Sequence, residues 1–342
     1  MEITVYGAGT FGFVLARHLG RKFVDNKEYK IWLYGRNTEL IKTIQAARTH
    51  PVHFPNVALP ENVVTTSERD TAIEDSQLII LATPAQSVRS AIRDIRRRIN
   101  QNITILSAAK GLELKTNLRL SEVINQELVG TKYKYKIAVF SGGTIASEMI
   151  MDAALGAEIG CEDYEIAKFL QELMSNQHLR VYANTDIIGV EYAGALKNVI
   201  SIGAGISDGL NNPYGSKTLM ISRASAEAKR LALKLGAKEH TFSTESQAWS
   251  NDLWMSCIGN TRNRYFGELI GKGHSVDDAL KILRKEHKIA EGYPTARVVY
   301  NLATEHDIEI PVMGKIYEIL YDGKNPINAM YELMTRQLKF IG

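Results

Sequence analysis

One glycine-rich turn near the start of the sequence constrains the fold most. Gly7, Gly9 and Gly12 follow the apolar, β-branched run at residues 3–6, and an amphipathic helical pattern begins at Phe11. In a strand–turn–helix unit the first glycine makes the tight turn, the second admits a pyrophosphate to the backbone, and the third lets the helix pack on the strand. The N–H groups at the helix start favour an anion. The pattern predicts a dinucleotide site, with an unliganded glycine turn as the alternative.

Short β-branched runs alternate with helical patterns through the first half of the chain. The clearest predicted strands lie at residues 3–6, 30–34, 78–82, 103–107 and 137–140. The helical patterns between them lie at residues 11–22, 38–47, 85–98 and 117–128. A further strand, helix and strand are predicted at residues 152–159, 164–175 and 178–182. This alternation predicts a parallel, doubly wound sheet with helices on both faces.

After Ala183 the β-branched clusters thin out, and long helical patterns rich in Ala, Leu, Lys and Glu follow. We therefore predict a dinucleotide-binding domain over residues 1–183 and a helical substrate domain over residues 184–342. One long helix is predicted at residues 187–209, although each glycine inside a helix costs about 1 kcal/mol relative to alanine. The glycines concerned are Gly189, Gly194, Gly203 and Gly205. So many small residues imply the close approach of another backbone.

Charge and cysteine content narrow the class of protein. The 342 residues carry 41 basic and 38 acidic side chains, and a formal charge of +3 does not suggest a surface that coats nucleic acid or an anionic membrane. No apolar run reaches the roughly 18 residues of a membrane span, and no secretion signal is found at the start. Cys161 and Cys257 are far apart and predict a reducing compartment. We expect a cytoplasmic protein with no nucleic-acid partner and no membrane insertion.

The end of the second predicted strand bears on the cofactor. Folds that prefer NAD usually place a carboxylate there, which accepts hydrogen bonds from the ribose 2′-hydroxyl. Here the strand ends in Leu-Tyr-Gly-Arg-Asn, with Arg36 in place of an acidic residue. An arginine can pair with a 2′-phosphate, which favours NADP over NAD. A solvated loop arginine is the alternative.

Two lysines stand in contexts that favour a site. Lys110 follows a predicted parallel strand, at the edge where such sheets receive ligands. Lys197 lies inside the predicted small-residue helix, where burial would lower its pKa towards the range useful for proton transfer. A solvated surface position is the alternative for a helical lysine.

A polar cluster at residues 260–264 precedes another helical pattern. Asn260 or Thr261 can cap that helix, so that its N–H groups and the guanidinium of Arg262 form an anion site. An ordinary capped helix with surface arginines is equally compatible with the spacing. Asp252 can orient a lysine or be a solvated carboxylate. The eight histidines lack metal-binding spacing, so no metal site is expected.

The motifs, taken in order, resemble those of NAD(P)-dependent glycerol-3-phosphate dehydrogenases of the soluble bacterial type over nearly the whole chain. The matching stretches are GAGTFG at 7–12, AAKGLE at 108–113, VFSGGTIASE at 139–148, IGVEYAGALKNVISIGAGISDGL at 188–210, NTRNRYFG at 260–267 and AEGYPT at 290–295. The resemblance implies an α/β, Rossmann-like doubly wound sheet followed by an all-α C-terminal domain, as in 6-phosphogluconate dehydrogenase. It also implies a homodimer, with the active site in a cleft between the two domains.

The activity implied by the resemblance is reversible hydride transfer from NAD(P)H to C2 of dihydroxyacetone phosphate, which gives sn-glycerol 3-phosphate for glycerophospholipid synthesis. Lys197 would be the general acid/base, Lys110 would hold the substrate, and Asp252 would orient the lysine. The substrate-binding residues implied are Lys110, Gly142, Thr144, Thr261, Arg262 and Asn263. The cofactor-binding residues are Gly7, Gly9, Thr10, Phe11, Gly12, Arg36, Lys110, Ala146, Arg262, Ile289 and Glu291.

Three departures from the family pattern keep a second function open. Gly143 stands where the family has proline, Asn251 replaces a glycine, and the family's GxN and TRG motifs are altered at residues 211–215 and 222–224. All lie in or near substrate-facing segments. The alternative is a paralogous NADP-dependent reductase of a different small phosphorylated or acyl ketone. A dinucleotide sensor without turnover fits less well, because it has no use for both lysines.

Overall fold

The computed structural model describes residues 1–338. Contacts divide the chain into two compact units. The first contains Met1–Lys110 and Leu118–Glu191, and the second contains Gly111–Asn117 and the chain from Tyr192 onward. The domain boundary predicted after Ala183 stays a prediction, and residues 339–342 of the predicted helical domain lie outside the described part of the chain.

The first unit largely alternates strands and helices, as the sequence predicts, but three strands that the sequence did not predict follow one another between residues 49 and 66 with no helix between them. Its strands are β1 Glu2–Tyr6, β2 Lys30–Tyr34, β3 Thr49–His50, β4 Phe54–Ala58, β5 Val63–Thr66, β6 Leu78–Leu81, β7 Ile103–Ser107, β8 Tyr135–Gly142, β9 Leu155–Gly160 and β10 Leu179–Asn184. Its helices are α1 Thr10–Lys22, α2 Thr38–Ala47, α3 Arg69–Ile73, α4 Val88–Arg96, α5 Leu120–Leu128, α6 Ala146–Ile150 and α7 Tyr164–Met174. A 3₁₀ turn, Ala85–Ser87, precedes α4.

One sheet contains eight of these strands, in the order β10-β9-β8-β7-β6-β1-β2-β5 within the described residues. Its pairs are parallel except for β8 with β9, which are antiparallel. The fully parallel sheet expected from the sequence is therefore wrong at this pair. The five-residue helix α6 between them spans only about 8 Å. It is too short to return the chain along β8, whose eight residues cover about 26 Å.

Helices cover both faces of the sheet, which confirms the predicted doubly wound fold. In β6, Leu78 and Ile80 face one buried apolar cluster, while Ile79 and Leu81 face the other. All four side chains are fully buried, which explains why this strand is apolar at every position instead of alternating. Side chains of α1 and α7 pack in the first cluster, and those of α4 and α5 pack in the second. The carboxyl ends of the central strands are therefore held rigidly.

The second unit is helical in its described part, as predicted. Its helices are α8 Ile187–Gly209, which begins in the first unit, α9 Tyr214–Lys234, α10 Asp252–Ile258, α11 Arg262–Gly271, α12 Val276–Lys285, α13 Gly292–Glu305, α14 Pro311–Tyr321 and α15 Pro326–Met334. A 3₁₀ turn, Glu239–Phe242, and a π-helical turn, Gln247–Asn251, precede α10. Among residues 1–338, no helix combines the length and apolarity that a membrane crossing needs.

The glycines of α8 pack against the backbone of α11. A Cβ atom on Gly205 would lie 1.9 Å from the carbonyl oxygen of Arg264, and one on Gly267 would lie 2.0 Å from that of Ile202. No side chain fits at such separations. The predicted close approach of another backbone is thereby confirmed at Gly205, and it fixes α11 and its first turn against α8.

Candidate active site

The glycine-rich turn has the geometry that its sequence predicts. Gly7 has φ +126°, and a Cβ there would lie 2.6 Å from the carbonyl oxygen of Ala82. A Cβ on Gly12 would lie 1.7 Å from the carbonyl oxygen of Gly7, so this position needs glycine for the helix to pack. A Cβ on Gly9, in contrast, would meet no atom within 4 Å. The open space at Gly9 leaves room for a ligand to approach the backbone.

The first turn of α1 fits an anionic group. Gly9 is its N-cap and offers no side-chain hydrogen bond to the first N–H groups. Thr10 and Phe11 follow and are partly exposed. Beside the turn, Thr83 has a buried hydroxyl with no hydrogen-bond partner in the described chain. Unpaired N–H groups, an open backbone and an orphaned hydroxyl together suit the pyrophosphate of a dinucleotide.

Arg36 lies immediately beyond the carboxyl end of β2 and is exposed. Its guanidinium makes no hydrogen bond or ion pair with any described residue. The next residue, Asn37, caps α2 by accepting a hydrogen bond from the Leu40 N–H at 3.1 Å. Arg36 is thus placed at a fixed point of the backbone with its five donors uncommitted, as a 2′-phosphate would require.

Lys110 and the end of β8 meet within the first unit. The Lys110 Nζ donates to the carbonyl oxygen of Gly142 at 2.7 Å. The same oxygen accepts from the Thr144 N–H at 2.8 Å. Gly142 has φ +145°, and a Cβ there would lie 2.5 Å from the Cα of Ala157, so only glycine fits. Three of the residues implied by the resemblance for substrate binding therefore share one carbonyl, and Ala146 begins α6 two residues later.

Two buried hydroxyls at the same edge of the sheet are not among the site residues that the sequence predicts. Ser107 ends β7, and Ser141 lies next to the last residue of β8. Both side chains are buried, and neither hydroxyl oxygen has a hydrogen-bond partner in the described chain. Because buried hydroxyls are normally hydrogen bonded, these two are available to hydrogen bond to a ligand near Lys110. A serine at the carboxyl end of a predicted parallel strand is the signal that could have identified them.

Lys197 is buried and held by two partners in the second unit. Its Nζ donates to Asp252 Oδ1 at 2.9 Å and to Ser256 Oγ at 2.6 Å. The Lys197 side chain is 9% exposed, and that of Asp252 is 1% exposed. A lysine ammonium has three N–H donors, so one stays without a partner among residues 1–338. The sequence alternatives of a solvated Lys197 and a solvated Asp252 are wrong.

The local fold explains how Asp252 and Ser256 reach this lysine. Ser246 caps the π-helical turn Gln247–Asn251, because its side chain accepts a hydrogen bond from the Trp249 N–H. Helix α10 follows this turn directly, and in it Asp252 and Ser256 stand four residues apart on one face. Ser201 and Thr261 donate to the Ser256 carbonyl at 2.7 and 2.8 Å. The end of α10 is therefore fixed to α8.

The cluster at 260–264 forms the start of α11. Thr261 is its N-cap residue and Arg262 its first residue, and Arg262 is exposed. Although part of the Arg262 side chain is exposed, the surrounding protein desolvates the guanidinium and lowers its pKa; the nearby Glu291 opposes this shift only in part, and the guanidinium remains protonated. Asn263 donates to Asn198 Oδ1 at 2.9 Å and accepts from the Gly292 N–H at 2.9 Å. Asn263 thereby links three segments.

Ile289 is one of the residues that the resemblance implies for the cofactor, and Asn251 and Gly215 stand where the sequence departs from the family pattern. Ile289 is 49% exposed and lies before α13, beside Glu291. Asn251 has φ −63°, which every residue adopts, so the loss of the family's glycine there causes no strain. Its side chain donates to Gln247 Oε1 at 3.0 Å inside the π-helical turn. A Cβ on Gly215 would meet nothing within 4 Å, so that glycine is not required by packing.

The fold and this arrangement define a class, the two-unit dinucleotide-dependent dehydrogenases with a helical second half. The sequence models for the N-terminus and the C-terminus of NAD-dependent glycerol-3-phosphate dehydrogenase match residues 2–167 and 186–331. The chain belongs to this family.

Individual relatives agree over nearly the full length. The chain is 37% identical, over 99% of its length and 98% of the relative, to a glycerol-3-phosphate dehydrogenase (NAD(P)+) of Bartonella tribocorum. It is 34% identical to one of Geobacillus thermodenitrificans, over 99% of this chain and 96% of the relative. A crystal structure of glycerol-3-phosphate dehydrogenase from Coxiella burnetii superposes with a TM-score of 0.89 at 29% identity, covering 98% of this chain and 99% of that one.

Proposed function

We propose that this chain reduces dihydroxyacetone phosphate to sn-glycerol 3-phosphate with NAD(P)H, and catalyses the reverse reaction. Family membership over both halves of the chain supports the substrate and the cofactor class. The observation that carries the proposal is the buried Lys197 ammonium, held by Asp252 and Ser256 with one N–H uncommitted. Reduction of a ketone to an alcohol needs such an acid, because a proton must reach the carbonyl oxygen.

The chemistry divides between the cofactor and the protein. When bound, NAD(P)H supplies the hydride that is transferred to C2 of the ketone. Lys197 donates a proton to the oxygen on C2 and takes one back in the reverse direction. Asp252 and Ser256 fix the direction of its remaining N–H, because two hydrogen bonds leave the ammonium no freedom to rotate. Preorganised donors of this kind act only on the charge that develops in the transition state.

The substrate must also be held in one orientation. Lys110 hydrogen bonds to the Gly142 carbonyl, and we propose that this amine contacts the triose together with Gly142 and Thr144. Arg262, Asn263 and Thr261 are the proposed phosphate-binding group, because α11 begins there and its first N–H groups lack a side-chain cap. Holding the phosphate keeps the carbonyl aligned for hydride transfer.

The proposed cofactor is NADP, with NAD as a second substrate. The residues proposed to bind it in the first unit are Gly7, Gly9, Thr10, Phe11, Gly12, Arg36, Lys110 and Ala146, and those in the second unit are Arg262, Ile289 and Glu291. The uncommitted guanidinium of Arg36 supports the preference for the 2′-phosphate. We further propose a cytoplasmic homodimer, on the resemblance to the family and the cysteine content.

Replacing Arg36 by glutamine is expected to lower kcat/KM for NADPH about 10- to 100-fold, because one charge-assisted pair with phosphate contributes roughly 1.5–3 kcal/mol. The value for NADH is expected to change less than about two-fold. Steady-state rates with each cofactor at fixed ketone concentration measure both, with Arg284→Gln, an exposed arginine of α12, as the control. An equal loss with NADPH and NADH would contradict the assignment of Arg36 to the 2′-phosphate.

The second candidate function is reduction of a different small phosphorylated or acyl ketone, and the altered segments around Gly143, Asn251 and Gly215 favour it. One assay separates the two: NADPH oxidation is followed with dihydroxyacetone phosphate, unphosphorylated dihydroxyacetone, other phosphorylated ketones and 2-oxo acids. We expect kcat/KM to be highest for dihydroxyacetone phosphate. A higher value for another ketone would establish the second function, and binding of NADPH with no turnover of any ketone would contradict both.

A further inference from the structure

A cavity of about 270 Å³ lies in the first unit, at the C-terminal half of α1. Arg17, His18, Arg21 and Lys22 of α1 line it, together with Asp152 after α6 and His178 before β10. Every lining residue belongs to the first unit. None is among the residues proposed above to bind the substrate or the cofactor.

The cavity carries an excess of positive charge. Its three cations, Arg17, Arg21 and Lys22, stand against one carboxylate, that of Asp152. Arg21 occupies both oxygens of that carboxylate, at 2.7 and 2.8 Å. The Lys22 amine donates to the backbone carbonyls of Glu172 and Ser175, which carry no formal charge. Arg17 and Lys22 therefore make no close ion pair among the described residues, although Asp152 attracts Arg17 and Glu172 attracts Lys22 at longer range.

Arg17 is the residue that most needs a ligand. Its Nε is buried and has no hydrogen-bond partner in the described chain, and its guanidinium makes no ion pair there. A buried guanidinium N–H without a partner costs free energy, which an anion in the cavity would recover. Arg17 and Arg21 stand four residues apart on one face of α1, so an anion can contact both.

His18 shapes the cavity without adding charge. Its Nε2 contacts the Met174 carbonyl at 2.8 Å, and its Nδ1 contacts the Asn176 side-chain amide at 3.3 Å. Burial lowers the pKa of His18 to about 4, the Met174 carbonyl opposes that shift, and the charges of Lys22 and Arg21 add to it. The ring is therefore neutral near pH 7, with Nε2 as donor and Nδ1 as acceptor.

The cavity is separate from the dinucleotide turn. Arg17 lies seven residues after Thr10 along α1, and Arg21 eleven, which places their backbones about 10 and 16 Å from the start of the helix. A volume of about 270 Å³ is near the lower limit of ligand pockets and too small for a dinucleotide. A small anion suits this size, and the planar donors of arginine suit phosphate oxygens.

We propose that this cavity is a second anion site, which binds the phosphate of a small soluble phosphomonoester through Arg17 and Arg21 without displacing the dinucleotide. Arg17 supplies its uncommitted donors, Arg21 keeps its ion pair to Asp152 and adds charge, and His178 closes one side of the cavity. Occupancy does not depend on the substrate that the chain reduces.

Calorimetry with inorganic phosphate and with glycerol 2-phosphate tests the site. The parent protein carries Arg262→Gln, which weakens phosphate binding at the proposed substrate site, and is saturated with NADPH, which occupies the dinucleotide turn. We expect one phosphate per chain. Arg17→Gln in this parent is expected to weaken binding at least about 10-fold, and Arg17→Lys, which keeps the charge and loses the planar donors, is expected to weaken it less.

Arg284→Gln in the same parent is the matched control, and its affinity should equal that of the parent. Thermal melting of each variant shows whether it is folded, and if Arg17→Gln is unfolded, Arg17→Lys carries the test. The proposal is overturned if the parent binds no phosphate, or if phosphate binds folded Arg17 variants as tightly as it binds the parent.

Discussion

Replacing Lys197 by methionine is expected to lower kcat for ketone reduction by about 10³-fold or more, while the affinity for NADPH stays within about two-fold. A positioned general acid contributes roughly 10²–10⁴ in rate, and methionine keeps the length of the side chain but donates no proton. The change also removes the preorganised charge that Asp252 and Ser256 hold in place. Stopped-flow reduction and a fluorescence titration with NADPH measure the two quantities separately.

The substitution also leaves the Asp252 carboxylate buried without its counter-ion, which can cost several kcal/mol of stability. Two variants separate this effect from catalysis. Lys197→Met combined with Asp252→Asn removes the orphaned charge and should recover thermal stability but not turnover. Lys217→Met removes another largely buried lysine, which contacts Asp208 at 2.9 Å, and should keep turnover; Asp208 retains its ion pair with Arg264 at 2.6 Å. A stably folded Lys197→Met protein that reduces the ketone at the wild-type rate would exclude Lys197 from the mechanism.

The parts of this protein that could be predicted from sequence are those set by local periodicity and by glycine. At Gly12 the constraint comes from the carbonyl of Gly7 in the same turn, so it can be predicted locally, whereas at Gly7 the close contact is with Ala82 in a distant segment. The α8 glycines likewise predict close helix packing, but not which helix is the partner. That partner, α11, begins more than fifty residues after α8 ends, and no local pattern encodes the pairing.

The pairing of segments and side chains that are distant in the sequence is harder to predict from it. The antiparallel β8–β9 pair depends on the shortness of α6. Periodicity in this glycine-containing segment does not show whether a turn continues or a helix begins. From the residues alone Asp252 can orient a lysine or be solvated, and only the resemblance favours the first, since a carboxylate fifty-five positions from Lys197 has no spacing signal. Ser256 is not among the predicted residues, although it stands one turn after Asp252 on the same helical face, which is a usable signal once the helix is assigned.

The second large effect is expected at Arg262. Replacing it by alanine should lower kcat/KM for dihydroxyacetone phosphate by about 10²- to 10³-fold, chiefly through KM. Each hydrogen bond to a charged phosphate contributes roughly 1.5–3 kcal/mol, and a guanidinium can donate two in parallel. Arg262→Lys keeps the charge but not the planar pair, so it should recover only part of the loss.

Changing the substrate together with the residue tests whether Arg262 acts on the phosphate. With unphosphorylated dihydroxyacetone the wild-type enzyme already lacks the partner of Arg262, so Arg262→Ala should cost far less than it does with the phosphorylated ketone. The two losses form a double-mutant-type cycle whose difference measures the arginine–phosphate coupling. Because Arg262 is also proposed to contact the cofactor, the NADPH affinity is measured for each variant and the cycle is compared at saturating NADPH. Equal losses with both ketones at saturating cofactor would place Arg262 outside the phosphate site, and the N-terminus of α11 would then have to hold the triose without it.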